Sequence, residues 1–150
     1  MLTDWALASL HHLAVFTLAA ALAAELATLT IDIDARGMSR LAKIDLGYGV
    51  CAALVVIVGV ARVIWGAKGY EYYLANHIFW TKMALFVVVG LLSVPPTLRY
   101  FAWGRQFRAN ADFRPGVAAV ARARTYLWAE AAFFLAIPVA AAAMARGYGM

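Results

Sequence analysis

Ile78-Phe79-Trp80-Thr81-Lys82-Met83-Ala84-Leu85-Phe86-Val87-Val88-Val89-Gly90-Leu91-Leu92 decides the fold. Apart from Lys82 the run suits a lipid environment. A charge placed inside a membrane span costs roughly 3 kcal/mol on insertion scales unless a partner or water receives it. The run therefore reads as a membrane helix, and Lys82 as the mark of a polar interior. Lys82 is read as functional rather than as a mere anchor.

The rest of the chain agrees. Of its 150 residues 65% are apolar and only 14% charged. Soluble domains are about 45–50% apolar and about a quarter charged. A mean hydropathy of +0.77 exceeds what one soluble core of this size can bury, so the expected solvent is a lipid bilayer. The lone cysteine, Cys51, excludes an internal disulfide and a cysteine metal cluster. No Lys or Arg precedes the first apolar run, Asp4 stands there instead, and the run is long for a signal core. It is read as a spanning helix.

A bilayer core needs about 20 mostly apolar residues per helix. Four stretches meet this, at roughly 5–31, 46–65, 75–98 and 123–145, separated by polar breaks at 32–45, 66–74 and 99–122. The expected fold is all-α, one domain over 1–150, a four-helix transmembrane bundle. Ser39 is a candidate cap for an early start of the second helix. Pro95-Pro96 should kink or end the third span, and a kinked helix running out into the interface is favoured; Pro138 should bend the fourth. Trp5, Trp65, Trp80, Trp103 and Trp128 lie near span ends, as an aromatic belt requires.

Nine basic residues (Arg36, Arg40, Lys43, Arg99, Arg105, Arg108, Arg114, Arg122 and Arg124) fall on the side of the first and third connections. Arg62, Lys68 and Arg146 fall on the other side. The positive-inside rule puts connections 32–45 and 99–122 in the cytoplasm and both termini on the outer, periplasmic side of a bacterial inner membrane. The net charge of +5 is thereby explained by topology and anionic lipid, with no need for nucleic acid.

Depth counted along each helix gives two polar layers. His11, His12 and Lys82 lie about 10 Å from the outer face, with Arg62 somewhat shallower. Glu25 and Glu130 match each other near the inner side. Lys82, Phe86, Gly90, Ser93 and Thr97 form one helical stripe; Tyr48, Val55, Gly59 and Arg62 form another. Small residues on these stripes should let helices approach closely. Arg62 is expected to snorkel to headgroups, and Glu130 to pair with Arg124 or be protonated. His77 reads as an interface residue, and the Asp32-x-Asp34 pair as solvated rather than cation-binding. A Gly-rich phosphate loop, H-E-x-x-H, a cysteine pair and G-x-S-x-G are absent.

Further elements carry a resemblance: His11-His12, Arg40-x4-Asp45-x2-Tyr48-Gly49, Gly59-x2-Arg62, Lys68-Gly69 with Tyr72-Tyr73-x2-Asn76, Phe79-Trp80-x-Lys82, Ser93-x-Pro95-Pro96-Thr97 and Met144-Ala145-Arg146-Gly147. Over nearly its whole length the chain resembles a bacterial family of uncharacterised four-helix membrane proteins. More distantly it is similar to the haem-binding four-helix protoporphyrinogen oxidases of bacteria. The similarity rests on Trp80-Thr81-Lys82 as W-x-K, on His11 or His12, and on the four-helix layout. It departs late in the first span, where Ala24-Glu25 and Thr28 stand in place of a Pro-Arg motif.

That second resemblance implies haem b, with His11 or His12 and Lys82 as its axial metal ligands. Arg62, Lys68 and Arg146 would face the propionates, and Phe16, Phe79 and Phe86 the macrocycle. The leading expectation is thus a membrane oxidoreductase exchanging electrons with quinone, with Glu25 and Glu130 as a proton route. Two alternatives stand beside it: a small transporter or channel with a polar intramembrane path, and a structural or assembly subunit. A homo-oligomer is compatible with all three.

Overall fold

The structure is a computed structural model that describes residues 2–66 and 69–149. It contains α1 (Leu2–Thr28), α2 (Ala35–Trp65), the short α3 (Gly69–Ala75), α4 (His77–Ala109) and α5 (Val117–Ala145). The four long helices are each apolar and long enough to cross a membrane. They pack as an all-α bundle in the ring order α1–α2–α4–α5, and α1 and α4 stand on a diagonal. The chain's two ends lie together, beside the α2–α4 turn, at what we call the terminal end; the α1–α2 and α4–α5 loops form the connection end.

The core follows from helical spacing. Ala14, Leu18, Leu22, Glu25 and Leu29 bury one stripe of α1 or its end, and Val120, Ala123, Leu127, Glu130 and Phe134 bury one stripe of α5. These i, i+3, i+4 intervals are those of a helix facing its neighbours. In each stripe one position where leucine would be ordinary is a glutamate.

Two predicted breaks are largely helical. α2 begins at Ala35, so most of 32–45 is helix, and its cap is Asp34 rather than Ser39: the Asp34 carboxylate accepts from Gly37 N at 2.7 Å. That role accounts for Asp34 in the Asp32-x-Asp34 pair. A Cβ on Gly37 would stand 2.9 Å from Ile33 Cγ1, so glycine lets the cap close. Likewise α4 passes through Pro95 and Pro96 and continues to Ala109. Its extension past the prolines packs one face inward: Tyr100, Trp103 and Phe107 are buried and Phe107 stacks edge-on to Phe113 at 5.2 Å. Trp103 is therefore a core residue and leaves the aromatic belt. The aromatic side chains of this segment face the bundle while basic residues lie beside them.

Arg124 does not pair with Glu130. Its Nη1 donates to the carbonyls of Leu26 (2.9 Å) and Leu29, closing the C-terminal end of α1, where a cation is favoured.

The terminal end is tied by a clasp. Asn76 is 0% exposed. Its Oδ1 accepts from Ile78 N and Phe79 N, capping α4, while its Nδ2 donates to Tyr148 O at 3.0 Å. His77 N donates to Gly149 O, and Tyr72 OH to Met144 O. Gly149 adopts φ 88° and lies so close that a Cβ would meet Ile78 Cγ1 at 2.7 Å, so only glycine fits there. Asn76→Ala removes the cap and leaves buried groups unpaired, an expected loss of about 1–3 kcal/mol. Asn76→Asp keeps the cap and should lose less. Thermal unfolding in detergent checks the order; equal melting points for the two variants would contradict it.

Candidate functional site

Two contacts fix the relative heights of the helices. Tyr100 OH donates to Glu25 Oε2 at 3.5 Å, so α4 residue 100 is level with α1 residue 25. Trp80 lies twenty residues before Tyr100, and Trp5 twenty before Glu25. A Cβ on Gly59 would touch the His11 ring at 3.4 Å; Trp65 is six residues beyond Gly59 and Trp5 six before His11. Trp5, Trp65 and Trp80 thus share one level, and all three face outward, at 68%, 67% and 54% exposure. They form one membrane belt. Twenty residues of helix span about 30 Å, the thickness of a hydrocarbon core. Glu25 and Tyr100 consequently lie at the far boundary of that core, inside the protein.

At that boundary all four spanning helices contribute polar groups: Glu25 from α1, Asp45 and Tyr48 from α2, Thr97 and Tyr100 from α4, Glu130 from α5. Glu25 is 2% and Glu130 1% exposed. Thr97 Oγ1 donates to Asp45 Oδ1 at 2.6 Å. Glu25 Oε1 and both Glu130 carboxyl oxygens are buried with no partner. The Tyr48 hydroxyl faces Glu130 without closing a hydrogen bond. A buried polar group without a partner carries a desolvation penalty of about 1–3 kcal/mol. Three such oxygens from two glutamates in core positions are not what packing alone selects.

The cluster borders a cavity of about 500 Å³ between α2 and α4, lined by Asp45, Tyr48, Thr97, Ser93 and Phe86 among others. The two predicted stripes of α2 and α4 do meet, at this cavity. Gly49 and Gly90 line it, and a Cβ on either would touch nothing within 4 Å. Gly90 therefore opens space where close helix approach was expected. Only Gly59, on the same stripe as Tyr48, serves approach, by seating His11.

The second layer lies near the belt. His11 is half-buried against the Val55–Gly59 turn of α2; its ring faces the Val55 backbone, and its buried Nδ1 closes no hydrogen bond. His12 points out of the bundle and its Nδ1 contacts its own helix at Ala8 O, 2.6 Å. His11 is the interior histidine. Lys82 and Arg62 are half-buried and within electrostatic range of His11 and of each other. Lys82 Nζ sits 5.6 Å from the Phe79 ring centroid, and Arg62 Nε is buried without a partner. Lys82 is two residues below Trp80 and Arg62 three from Trp65, about 3 and 5 Å from the belt. Lys82 is shallower than the sequence count gave, because the belt, not the first apolar residue, sets the boundary; Arg62 is within a turn of it, as expected. Phe16 is 69% exposed and faces away from the bundle. Lys68 lies outside the described residues. His77 is exposed. Among the described residues no three His, Cys, Asp or Glu side chains gather as a metal-binding group.

Sequence reading singled out Glu25, Glu130, His11, Arg62 and Lys82. It passed over Asp45 and Tyr100, whose signal was a position within a turn of Tyr48 and of Thr97 respectively. Comparison with known proteins adds the family and little else. No curated protein and no solved structure matches. A family model described as "Predicted membrane protein (DUF2214)" matches residues 3–149. The chain is a member of that family of membrane proteins.

Proposed function

We propose that this chain binds and passes protons at the Glu25–Glu130 cluster, as a small transporter or channel with a polar intramembrane path. One observation carries the reading: two glutamates at core positions, almost wholly buried, with three of their four carboxyl oxygens unpartnered. Ionisable groups inside a membrane bundle mark ion paths and proton relays. Tyr100 on Glu25 and Tyr48 facing Glu130 supply the hydroxyls through which a proton can be handed on. The side chains of Tyr48, Asp45 and Thr97 line the α2–α4 cavity and give the cluster an approach from outside. In a bacterial cytoplasmic membrane the basic connection end would face the cytoplasm, so the cluster would load from the inner side.

The test is a proteoliposome assay with an entrapped pH dye and an imposed potassium diffusion potential. Wild-type protein should acidify the lumen, and Glu25→Gln with Glu130→Gln should cut the rate at least about tenfold. Protein-independent leakage, or an unchanged rate in the double variant, would defeat the proposal.

A second reading, a redox protein with haem b, is favoured by the unpartnered Nδ1 of His11. A neutral imidazole and an amine are suitable axial donors, so His11 and Lys82 would hold the iron. Arg62 and Arg146 suit propionates. When bound, haem would supply one-electron transfer, with quinone as the electron partner. The acidic cluster carries the conclusion because three of its carboxyl oxygens are orphaned, against the single Nδ1 of His11.

A further inference from the structure

We propose that His11, Arg62 and Lys82 form a binding site for a phosphate-type oxyanion at the terminal end of the bundle. The inference goes beyond the acidic-cluster reading, since Lys82 lies eighteen residues from Tyr100 on α4, about 27 Å along the helix. Three basic side chains of three different helices converge: His11 from α1, Arg62 from α2 and Lys82 from α4. Among the described residues neither Arg62 nor Lys82 forms an ion pair. Asp4 lies beside Gly66, past the end of α2. A guanidinium keeps its charge in any protein environment, and like charges gathered at low dielectric repel unless an anion joins them. Arg62 Nε and His11 Nδ1 are the orphaned atoms, and both are buried.

The donor set favours an oxyanion with several oxygens. A planar guanidinium fork, a compact ammonium and an imidazole approach from different sides, and charge-assisted bonds to phosphate are the strong ones. The height fits as well. Arg62 and Lys82 are within about 5 Å of the tryptophan belt, where lipid phosphates approach the hydrocarbon boundary. The anion is therefore either a lipid headgroup inserted between helices or a free phosphate entering from the aqueous side. Gly59 takes part by position: the His11 ring lies against α2 there, a single Cβ would already touch it at 3.4 Å, and a branched side chain would press on it.

Lipid-depleted full-length protein in detergent should broaden the phosphorus NMR line of inorganic phosphate saturably if the source is free phosphate. Native mass spectrometry should show phosphatidylglycerol retained through detergent exchange if the source is a headgroup. Either signal should fall about tenfold in Arg62→Gln and in Lys82→Met and largely return in Lys82→Arg. Gly59→Val, which removes no charge, should weaken it by displacing His11. Binding by neither probe, or equal binding in Arg62→Gln, Lys82→Met and wild type, overturns the proposal. So does a Soret band in the visible spectrum of the wild type, which would assign the pair to haem. None of these outcomes bears on the proton flux, so the two readings fail separately.

Discussion

Glu130→Leu is expected to raise the protein's stability while abolishing the proposed proton flux. Both carboxyl oxygens of Glu130 are buried without a hydrogen-bond partner, and the residue is 1% exposed. Replacing such a group with an apolar side chain of similar size removes its desolvation penalty, worth about 1–3 kcal/mol, and leaves dispersion contacts in place. The neighbours favour the change, because Glu130 follows Leu127 and precedes Phe134 on the buried stripe of α5. Glu25→Leu should be close to neutral. It removes one orphaned oxygen but also the acceptor of the Tyr100 hydroxyl. Glu130→Ala should destabilise by leaving a cavity, typically about 2 kcal/mol or more for a large-to-small core change.

This ordering separates function from scaffolding. If the two glutamates lock helices together, as in an assembly subunit, both leucine variants lose stability along with any activity. If they are kept for proton exchange, stability and flux move in opposite directions. Equilibrium unfolding in mixed micelles supplies the first quantity and the liposome assay the second. A clear loss of stability in Glu130→Leu would return the cluster to a structural role.

The fold was legible because hydrophobic length and loop charge report directly on a bilayer. Helix ends were less so. Residues 35–45 and the segment through Phe107 look polar or basic in sequence, yet the Asp34 cap and a buried aromatic face keep them helical. The candidate site was half legible. Glutamates inside apolar runs stand out because burial of a carboxyl is expensive. Tyr100 and Asp45 do not, because a tyrosine near a span end and an aspartate near a loop are ordinary. Only the register set by Thr97 with Asp45 and by Tyr100 with Glu25 brings them into one cluster. The choice between His11 and His12 needed the rotation of α1, which Gly59 reveals by the contact it permits.

Alkaline phosphatase fused after Met150 should be active in the bacterial periplasm, and the same enzyme inserted after Asp112 should be silent, with at least about a tenfold difference. The reason is the charge distribution. Of thirteen Lys and Arg residues, nine lie toward the connection end, and four toward the terminal end once Lys82 is counted with Arg62, Lys68 and Arg146. The rule holds for short loops and for residues near helix ends. The structure sharpens that condition, since α1 and α2 are separated only by residues 29–34 and α4 and α5 only by 110–116. Arg36, Arg40, Lys43, Arg105, Arg108, Arg122 and Arg124 thus sit on helix ends, where retention in the cytoplasm would act on the helices themselves. Orientation also fixes direction for the two sites. It would put the acidic cluster at the cytoplasmic boundary and the His11–Arg62–Lys82 group in the periplasmic leaflet. A green fluorescent protein fusion should give the mirrored pattern, dark at the C-terminus. A silent phosphatase there, with fluorescence in its place, would invert the topology and with it the side from which Glu25 and Glu130 would take up protons.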